Sequence, residues 1–515
     1  MTKLPTGIQT FSKMREDDYA YVDKTEQIYK LIERGTYYFL SRPRRFGKSL
    51  LMDTISELFK GSREYFEGLY IYDKWDWSVK YPVINISFGS GYFATKEETL
   101  QSIEDQLRQI IRELDLECDN IRNIYGCFSD IIWAAHRKYG QKVVILVDEY
   151  DKPIIDVISN KPVASENREI LGSFYSAIKT NDKYVKFAML TGVSKFSQVS
   201  LFSKLNNLLD ITIDKEYGTI TGYTQHDLET TFKEHLQCVD MEEVKRWYNG
   251  YNYLSESIYN PYDILVFITR GCTFSNYWWQ SGNPRFLIEI LKGSNFYLPK
   301  LDNIIVGEDT LNAFDVERID LIALLWQTGY LTFDKVIVRN NKINYKMKVP
   351  NLEVKNSLSA LFFDYLVDNG INRNDKEILI QDCITENNPE GIRDVLKSLF
   401  AAIPYNNYVK NEIGDYEGYY ASVIYTFLSA LGFDTVAEDV TNKGRIDLTL
   451  KTEESIYIFE FKVDSGEEAI KQIKERKYWE KYGTEGRKIF LVGINFDSEL
   501  KNISCFEWEK QDQYS

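Results

Sequence analysis

"FLSRPRRFGKSLLMDTI", residues 39–55, sets three arginines and a proline in front of Gly47-Lys48-Ser49 and a patterned apolar segment behind it. Leu51, Ile55, Leu58 and Phe59 recur at helical spacing, so residues 48–60 read as a helix with one buried face. The preceding "TYYFL" (36–40) reads as a short buried strand. Strand, tight loop and helix in this order present backbone N–H groups and a helix N-terminus to phosphate. In that reading Lys48 neutralises the outer phosphates of ATP, Ser49 binds Mg²⁺, and Gly47 lets the backbone approach closely. The entrance departs from the usual pattern. Arg42 stands where such a loop has its first glycine, and Pro43 removes one N–H donor. The loop length is right nonetheless, and Arg44, Arg45, Phe46 and Leu50 complete the candidate nucleotide-binding set. The expected consequence is a wide, cationic entrance from which Arg44 or Arg45 reaches phosphate or pins the acids near Asp151.

Other segments supply the rest of such a site. "VVILV" (143–147) is followed by Asp148-Glu149, a buried strand ending in two acids. Asp148 would hold Mg²⁺ through water and Glu149 would polarise the attacking water. "VKFAMLTGVS" (185–194) is another strand, and Thr191 at its end either senses the outer phosphate or is an ordinary polar cap. "YPVINISF" (81–88) reads as a strand and residues 96–117 as an amphipathic helix. Strands alternating with long helices predict a parallel α/β sheet, with chemistry at the carboxyl ends of its strands.

The whole chain bounds these readings. Its 515 residues make about two to four domains a fair prior. A net charge of −15 excludes a bulk polyanion binder, so any nucleic-acid contact must come from a local basic patch. Six scattered cysteines and three histidines form no zinc-type spacing, and reduced thiols in a cytoplasm fit best. The N-terminus lacks a secretory h-region, and no aliphatic run is long enough to span a bilayer, so no membrane partner is expected. Residues 222–345 read as mostly helical and aromatic-rich. "VIVRNNKINYKMKVPN" (336–351) reads as a hairpin turning at Asn340-Asn341, of the kind a winged-helix wing uses.

A second candidate site lies in "GRIDLTLKTEESIYIFEFKVD", residues 444–464. If the turn centres between Glu453 and Glu454, Leu448 faces Phe459 and Leu450 faces Tyr457. Ile446 facing Phe461 then completes one apolar face. On the other face Asp447 lies across from Glu460, and Arg445 across from Lys462. Two carboxylates that close repel one another, and a divalent cation with a preference for oxygen, Mg²⁺ or Mn²⁺, is the simplest compensation. Lys462 shares a face with Glu460 and is placed to orient or deprotonate a water beside the metal. The lysines of residues 468–482 either track phosphates or belong to an ordinary salt-bridged helix.

Residues 5 to about 210 resemble the AAA-ATPase-like domain of bacterial proteins, through "YVDKT" (21–25), "YYFLSRPRRFGKSLL" (37–51), "YPVI" (81–84), "VILVDEYDKP" (144–153) and "LTGVSKFS" (190–197). That family carries the arginine-rich loop as its usual form. "SGNPRFL" (281–287) is similar to the lid motif of related switch ATPases, which makes Arg285 a candidate sensor or merely a surface residue. Residues 410–512 resemble the PD-(D/E)XK nuclease superfamily through "GRIDL…IYIFEFK", "AIKQIKERKYWEKY" (469–482) and "KIFLVGINF" (488–496). The resemblance implies that Asp447 and Glu460 bind metal and that Lys462 is catalytic. It makes Gln472 an auxiliary polar group and Glu417 the upstream acid, although Glu417 also suits a helix N-terminus on charge alone.

The expected architecture is therefore α/β. A P-loop parallel-sheet ATPase domain (1–215) is followed by a helical, winged-helix-like lid (216–350) and a helical connector (351–408). A small restriction-endonuclease-like α/β domain (409–515) ends the chain. The implied function is ATP hydrolysis fused to Mg²⁺- or Mn²⁺-dependent cutting of nucleic acid, DNA in the first instance, in a cytoplasmic protein. The resemblance also suggests a role in defence against foreign DNA or in mobile-element biology, and a homo-oligomer. The alternative is a nucleotide-dependent switch whose C-terminal domain binds nucleic acid or a protein without cutting.

Overall fold

The computed structural model describes residues 2–118, 121–195, 206–280, 301, 304–311, 320–340, 342–367, 373–403, 417–465 and 468–511. Arg285 lies outside them. The chain forms two compact units, Met1–Gly282 with Ile305–Asn351, and Asn283–Ile304 with Leu352–Ser515.

In the first unit, strands β1 (Tyr37–Ser41), β2 (Val83–Ser87), β3 (Val143–Asp148), β4 (Val185–Gly192) and β5 (Leu209–Asp210) form one sheet in the order β2-β3-β4-β1-β5. Every pairing in it is parallel. Residues 143–147 of β3 are fully buried, as the unbroken aliphatic run requires of a strand covered on both faces. The register brings Ser87 beside Asp148 and Ser41 beside Gly192, so the polar strand ends align along one edge. Helix α1 (Lys48–Lys60) starts at Gly47, whose φ of 85° a side chain would resist. It buries Leu51, Ile55, Leu58 and Phe59 against Val144, Leu146 and Phe187 of the sheet. Short helices fill residues 225–231, 241–248, 261–269 and 277–280. Strands β6 (Ile305–Gly307), β7 (Thr332–Arg339) and β8 (Lys342–Lys348) form a separate antiparallel sheet, with β7 and β8 joined by the expected hairpin.

The second unit is a mixed sheet of β9 (Asp434–Thr441), β10 (Gly444–Lys451), β11 (Ser455–Val463), β12 (Lys488–Asp497) and β13 (Asn502–Gln511), in the order β13-β12-β11-β10-β9. One face packs on α2 (Glu417–Ala430) through Leu448, Leu450, Tyr457, Phe459 and Phe461. The other packs on α3 (Ala469–Arg476) and the turn after it, through Ile456, Ile458, Ile473, Tyr478 and Tyr482.

Three expectations need correction. The lysine-bearing helix does not run from 468 to 482. Lys477 adopts φ 51° and ends it, and a 3-10 turn follows over Tyr478–Tyr482. Ile446 does not join the face of Leu448 and Leu450 but packs with Ile458 and Tyr478 on the opposite side. Nor are all thiols free. Cys118 and Cys127 form a disulfide, their Cα atoms 5.9 Å apart, within the ordinary span of the bond.

Candidate active sites

The first site gathers at the aligned strand ends. Ser49, in the first turn of α1, donates a hydrogen bond to Asp148 Oδ2 at 2.6 Å. Thr191, at the end of β4, donates to Asp148 Oδ1 at 2.6 Å. Asp148 is thus held by two hydroxyls from segments on either side of it. Lys48 is buried, and its ammonium donates to the carbonyls of Arg42 and Pro43 at 2.9 Å each. Burial pushes the Lys48 pKa down, although Asp148, Glu149 and Asp151 pull the other way. Glu149 takes φ 51°, and its N–H donates to Asp148 Oδ1. Burial, then the charge of Asp148, pushes the Glu149 carboxyl above its ordinary range.

These residues border a cleft of about 560 Å³, within the usual size range of small-molecule sites. Its polar side is Lys48, Ser49, Glu149, Arg44 and Arg45, and its apolar side includes Ile8, Met14, Pro261 and Leu265. Leu50 also lines it, whereas Phe46 is fully buried and packs edge-on against Tyr251.

The three loop arginines separate. Arg44 lines the cleft, and its charge is felt at both Lys48 and Glu149. Arg45 also lines it, and its guanidinium lies 4.0 Å over the Tyr262 ring. Arg42 turns inward and is fully buried. It donates to the carbonyls of Ser41 and Thr212 at 2.8 Å and Tyr217 at 3.3 Å, and it stacks on Tyr253 at 3.7 Å. Burial lowers its pKa to about 10. The cationic entrance is therefore made by two arginines, and the residue in place of the first glycine is part of the core.

Asp151 is not pinned by an arginine. It is buried and accepts from the Ser194 N–H and hydroxyl, at 2.6 Å each, and from the Val193 N–H. This clamp ties the end of β3 to the end of β4 and was not read from the sequence. Its only local sign is a third acid, three residues after Asp148.

In the second site the register through Leu448–Phe459 and Leu450–Tyr457 is the expected one. The ladder between β10 and β11 stops there. Asp447 does not form a ladder pair with Glu460. Its Oδ2 accepts the Phe461 N–H at 2.8 Å, so the side chain fills the place of a backbone acceptor. In the neighbouring strand Glu438 takes φ 51° opposite Asp447, at the one gap in an otherwise continuous β9–β10 register. Arg445 pairs with Glu438 and is not part of a ladder with Lys462. Glu460 is 1 % exposed, on the central strand of the sheet. Gln472 of α3 donates to its Oε1, and Lys462 Nζ lies 3.6 Å from the same oxygen. Tyr478 is electrostatically coupled to both Glu460 and Asp447 and hydrogen-bonds Gln472, and burial raises its pKa. This tyrosine was also missed, because it sits beyond the helix break at Lys477. Glu417 is the first residue of α2. Lys474 pairs with Glu509, Lys481 with Asp439 and Lys443 with Glu480, which favours the salt-bridged reading of residues 469–482.

Both centres suit a hard cation. Ser49 and Asp148 present a hydroxyl and a carboxylate beside a polar cleft. Asp447 and Glu460 present two carboxylates, and no third metal-binding side chain joins a cluster among the described residues. Mg²⁺ and Mn²⁺ are commonly held by one or two carboxylates with water completing the shell, so the donor set fits.

Two family models match the chain. That of a predicted AAA-ATPase covers residues 5–202, and that of the PD-(D/E)XK nuclease superfamily covers residues 415–506. An uncharacterized protein from the vnfD 5′ region of Azotobacter chroococcum mcd 1 is 43% identical over 510 residues, spanning 98% of each chain.

Proposed function

Because the chain belongs to the predicted AAA-ATPase family and ends in a PD-(D/E)XK nuclease superfamily domain, we propose that it hydrolyses ATP in its first unit and cuts DNA in its second. The observation that carries this reading is the presence of two separate acid–lysine centres in one chain. The proposed modules are 1–215 for the ATPase, 216–350 for a lid, 351–408 for a connector and 409–515 for the nuclease.

In the first centre the α1 N-terminus and Lys48 hold the outer phosphates, exchanging the carbonyls of Arg42 and Pro43 for phosphate oxygens. Ser49 and Asp148 hold Mg²⁺, Thr191 fixes the Asp148 carboxylate, and Arg44 and Arg45 add positive charge at the cleft wall. Glu149 accepts a proton from the attacking water, a role suited to a carboxyl pushed above its usual range. Ile8, Met14 and Pro261 offer the base an apolar wall.

In the second centre Asp447 and Glu460 would hold Mg²⁺ or Mn²⁺, and Gln472 fixes the Glu460 carboxylate. A divalent ion bound there supplies charge neutralisation at phosphorus and lowers the pKa of a bound water. Lys462, beside Glu460, would orient a water for in-line attack at phosphorus.

Purified protein with Mn²⁺ should degrade DNA, and Lys462→Ala should abolish cutting while leaving ATP binding intact. Lys48→Ala should do the reverse to ATP binding. Equal cutting by Lys462→Ala and wild type would overturn the nuclease assignment. Metal binding at Asp447 and Glu460 without cutting would favour the switch reading.

A further inference from the structure

The chain carries −15 overall, yet the hairpin of residues 332–348 holds Lys335, Arg339, Lys342, Lys346 and Lys348 against one acid, Asp334. The register sets Lys335 opposite Lys346 and Arg339 opposite Lys342. Residues two apart in a strand share a face, so these cations form one basic side. Like charges directly opposed destabilise a strand pair, and here it happens twice. Asp334 sits at the bulge between Phe333 and Lys335 and answers only the base of the row, 3.4 Å from Lys346 and 3.9 Å from Lys348. Lys335, Arg339 and Lys342 are exposed and form no ion pair among the described residues.

The hairpin is a supported projection and not a loose loop. Phe333, Tyr345 and Met347 are buried at its base, where the Phe333 ring lies 4.8 Å from Tyr345 and 5.4 Å from Trp326. Asn340 takes φ 50° at the turn. Lys335 to Arg339 spans about 13 Å at about 3.3 Å per residue, close to the rise of four phosphates along one nucleic-acid strand.

We propose that the basic face of this hairpin docks the phosphate backbone of double-stranded DNA through Lys335, Arg339 and Lys342, without reading its sequence. The site shares no residue with either active centre and places a nucleic-acid contact on the ATPase-bearing unit. The choice of DNA among polyanions rests on the nuclease reading of the other unit.

The test uses the full-length protein with EDTA, so that cutting cannot interfere, and a labelled short duplex titrated over a range of salt. Each lost phosphate contact lowers the salt slope by about 0.9, so the Lys335→Gln/Arg339→Gln/Lys342→Gln variant should lose about 2–3 from the slope. It should also bind at least about tenfold more weakly at moderate salt. ATP binding reports that the unit is folded. If the triple variant has lost it, the single variants Arg339→Gln and Lys342→Gln should each lower the slope by about 0.9. Unchanged affinity and slope would overturn the proposal. So would a wild-type protein that ignores the duplex but binds phosphatidylserine vesicles through the same three residues. Hairpin-dependent binding with no cutting in Mn²⁺ would instead remove the nuclease reading and leave this surface standing.

Discussion

Arg42 brings a guanidinium into the core, where three carbonyl oxygens and the Tyr253 ring receive it. A glycine there would remove the Arg42 donor from the Ser41 and Thr212 carbonyls, leave the Tyr217 carbonyl its bond from the Ile220 N–H, and open a large void. Each buried polar group left unsatisfied costs about 1–3 kcal/mol, so Arg42→Gly should lower unfolding stability by at least about 3 kcal/mol in urea denaturation, without tightening ATP binding. Glu149 makes the opposite case. Its carboxyl is pushed up by burial and by Asp148, so between its ordinary pKa and the raised value the folded chain binds more protons than the unfolded one. Stability therefore falls as pH rises through that window, and the deficit persists at neutral pH. Glu149→Gln should raise Tm at neutral pH, and the gain should vanish on acidification below the ordinary carboxylate range. The same variant should bind ATP and fail to hydrolyse it. Lys48, Ser49 and Asp148 were legible because their spacing is local to a loop and a strand. The partners of Arg42 were not, since Thr212, Tyr217 and Tyr253 come from segments remote in sequence, and no periodicity reports a contact of that kind.

Among the elements, α3 depends on one close approach. A Cβ at Gly493 of β12 would lie 2.8 Å from the Ile470 Cα, so the helix rests directly on the strand. Gln472, two residues further on, reaches Glu460 from that position. Gly493→Ala should lift the helix at the cost of overpacking, about 1–3 kcal/mol. Calorimetric titration should show weaker Mn²⁺ binding in the second unit while ATP affinity is retained; unchanged metal affinity would mean that the helix does not set the site. The central strands β10, β11 and β12 are evident in the sequence because they are apolar on both faces or alternate cleanly. The edge strands β9 and β13 are not, since "DTVAEDVT" and "NISCFEWEKQ" place charge on their open sides, as edges do to avoid further pairing. Two-residue β5 is too short to leave any pattern.

At the scale of the molecule, alternation of strands and helices was enough to give an α/β parallel sheet and a second small sheet, because those classes follow from periodicity and connection length. The strand order β2-β3-β4-β1-β5 was not available from it, since order depends on which side each crossover takes. The acidic total likewise concealed the basic hairpin, which emerges only when β7 and β8 are laid side by side. One detail of the second unit reaches further. A sheet counts residues in twos, yet Ile446 and Leu448 of β10 lie on opposite faces, and the break falls where Glu438 with its left-handed backbone stands opposite Asp447 in an unshifted register. Parity thus differs on the two sides of that point. Adding or deleting a single residue between Glu438 and Asp439 would turn Asp439 away from its partners Lys481 and Tyr482. A label or tag inserted in the turn at Asn442-Lys443 is therefore the change of length expected to keep Asp447 in place.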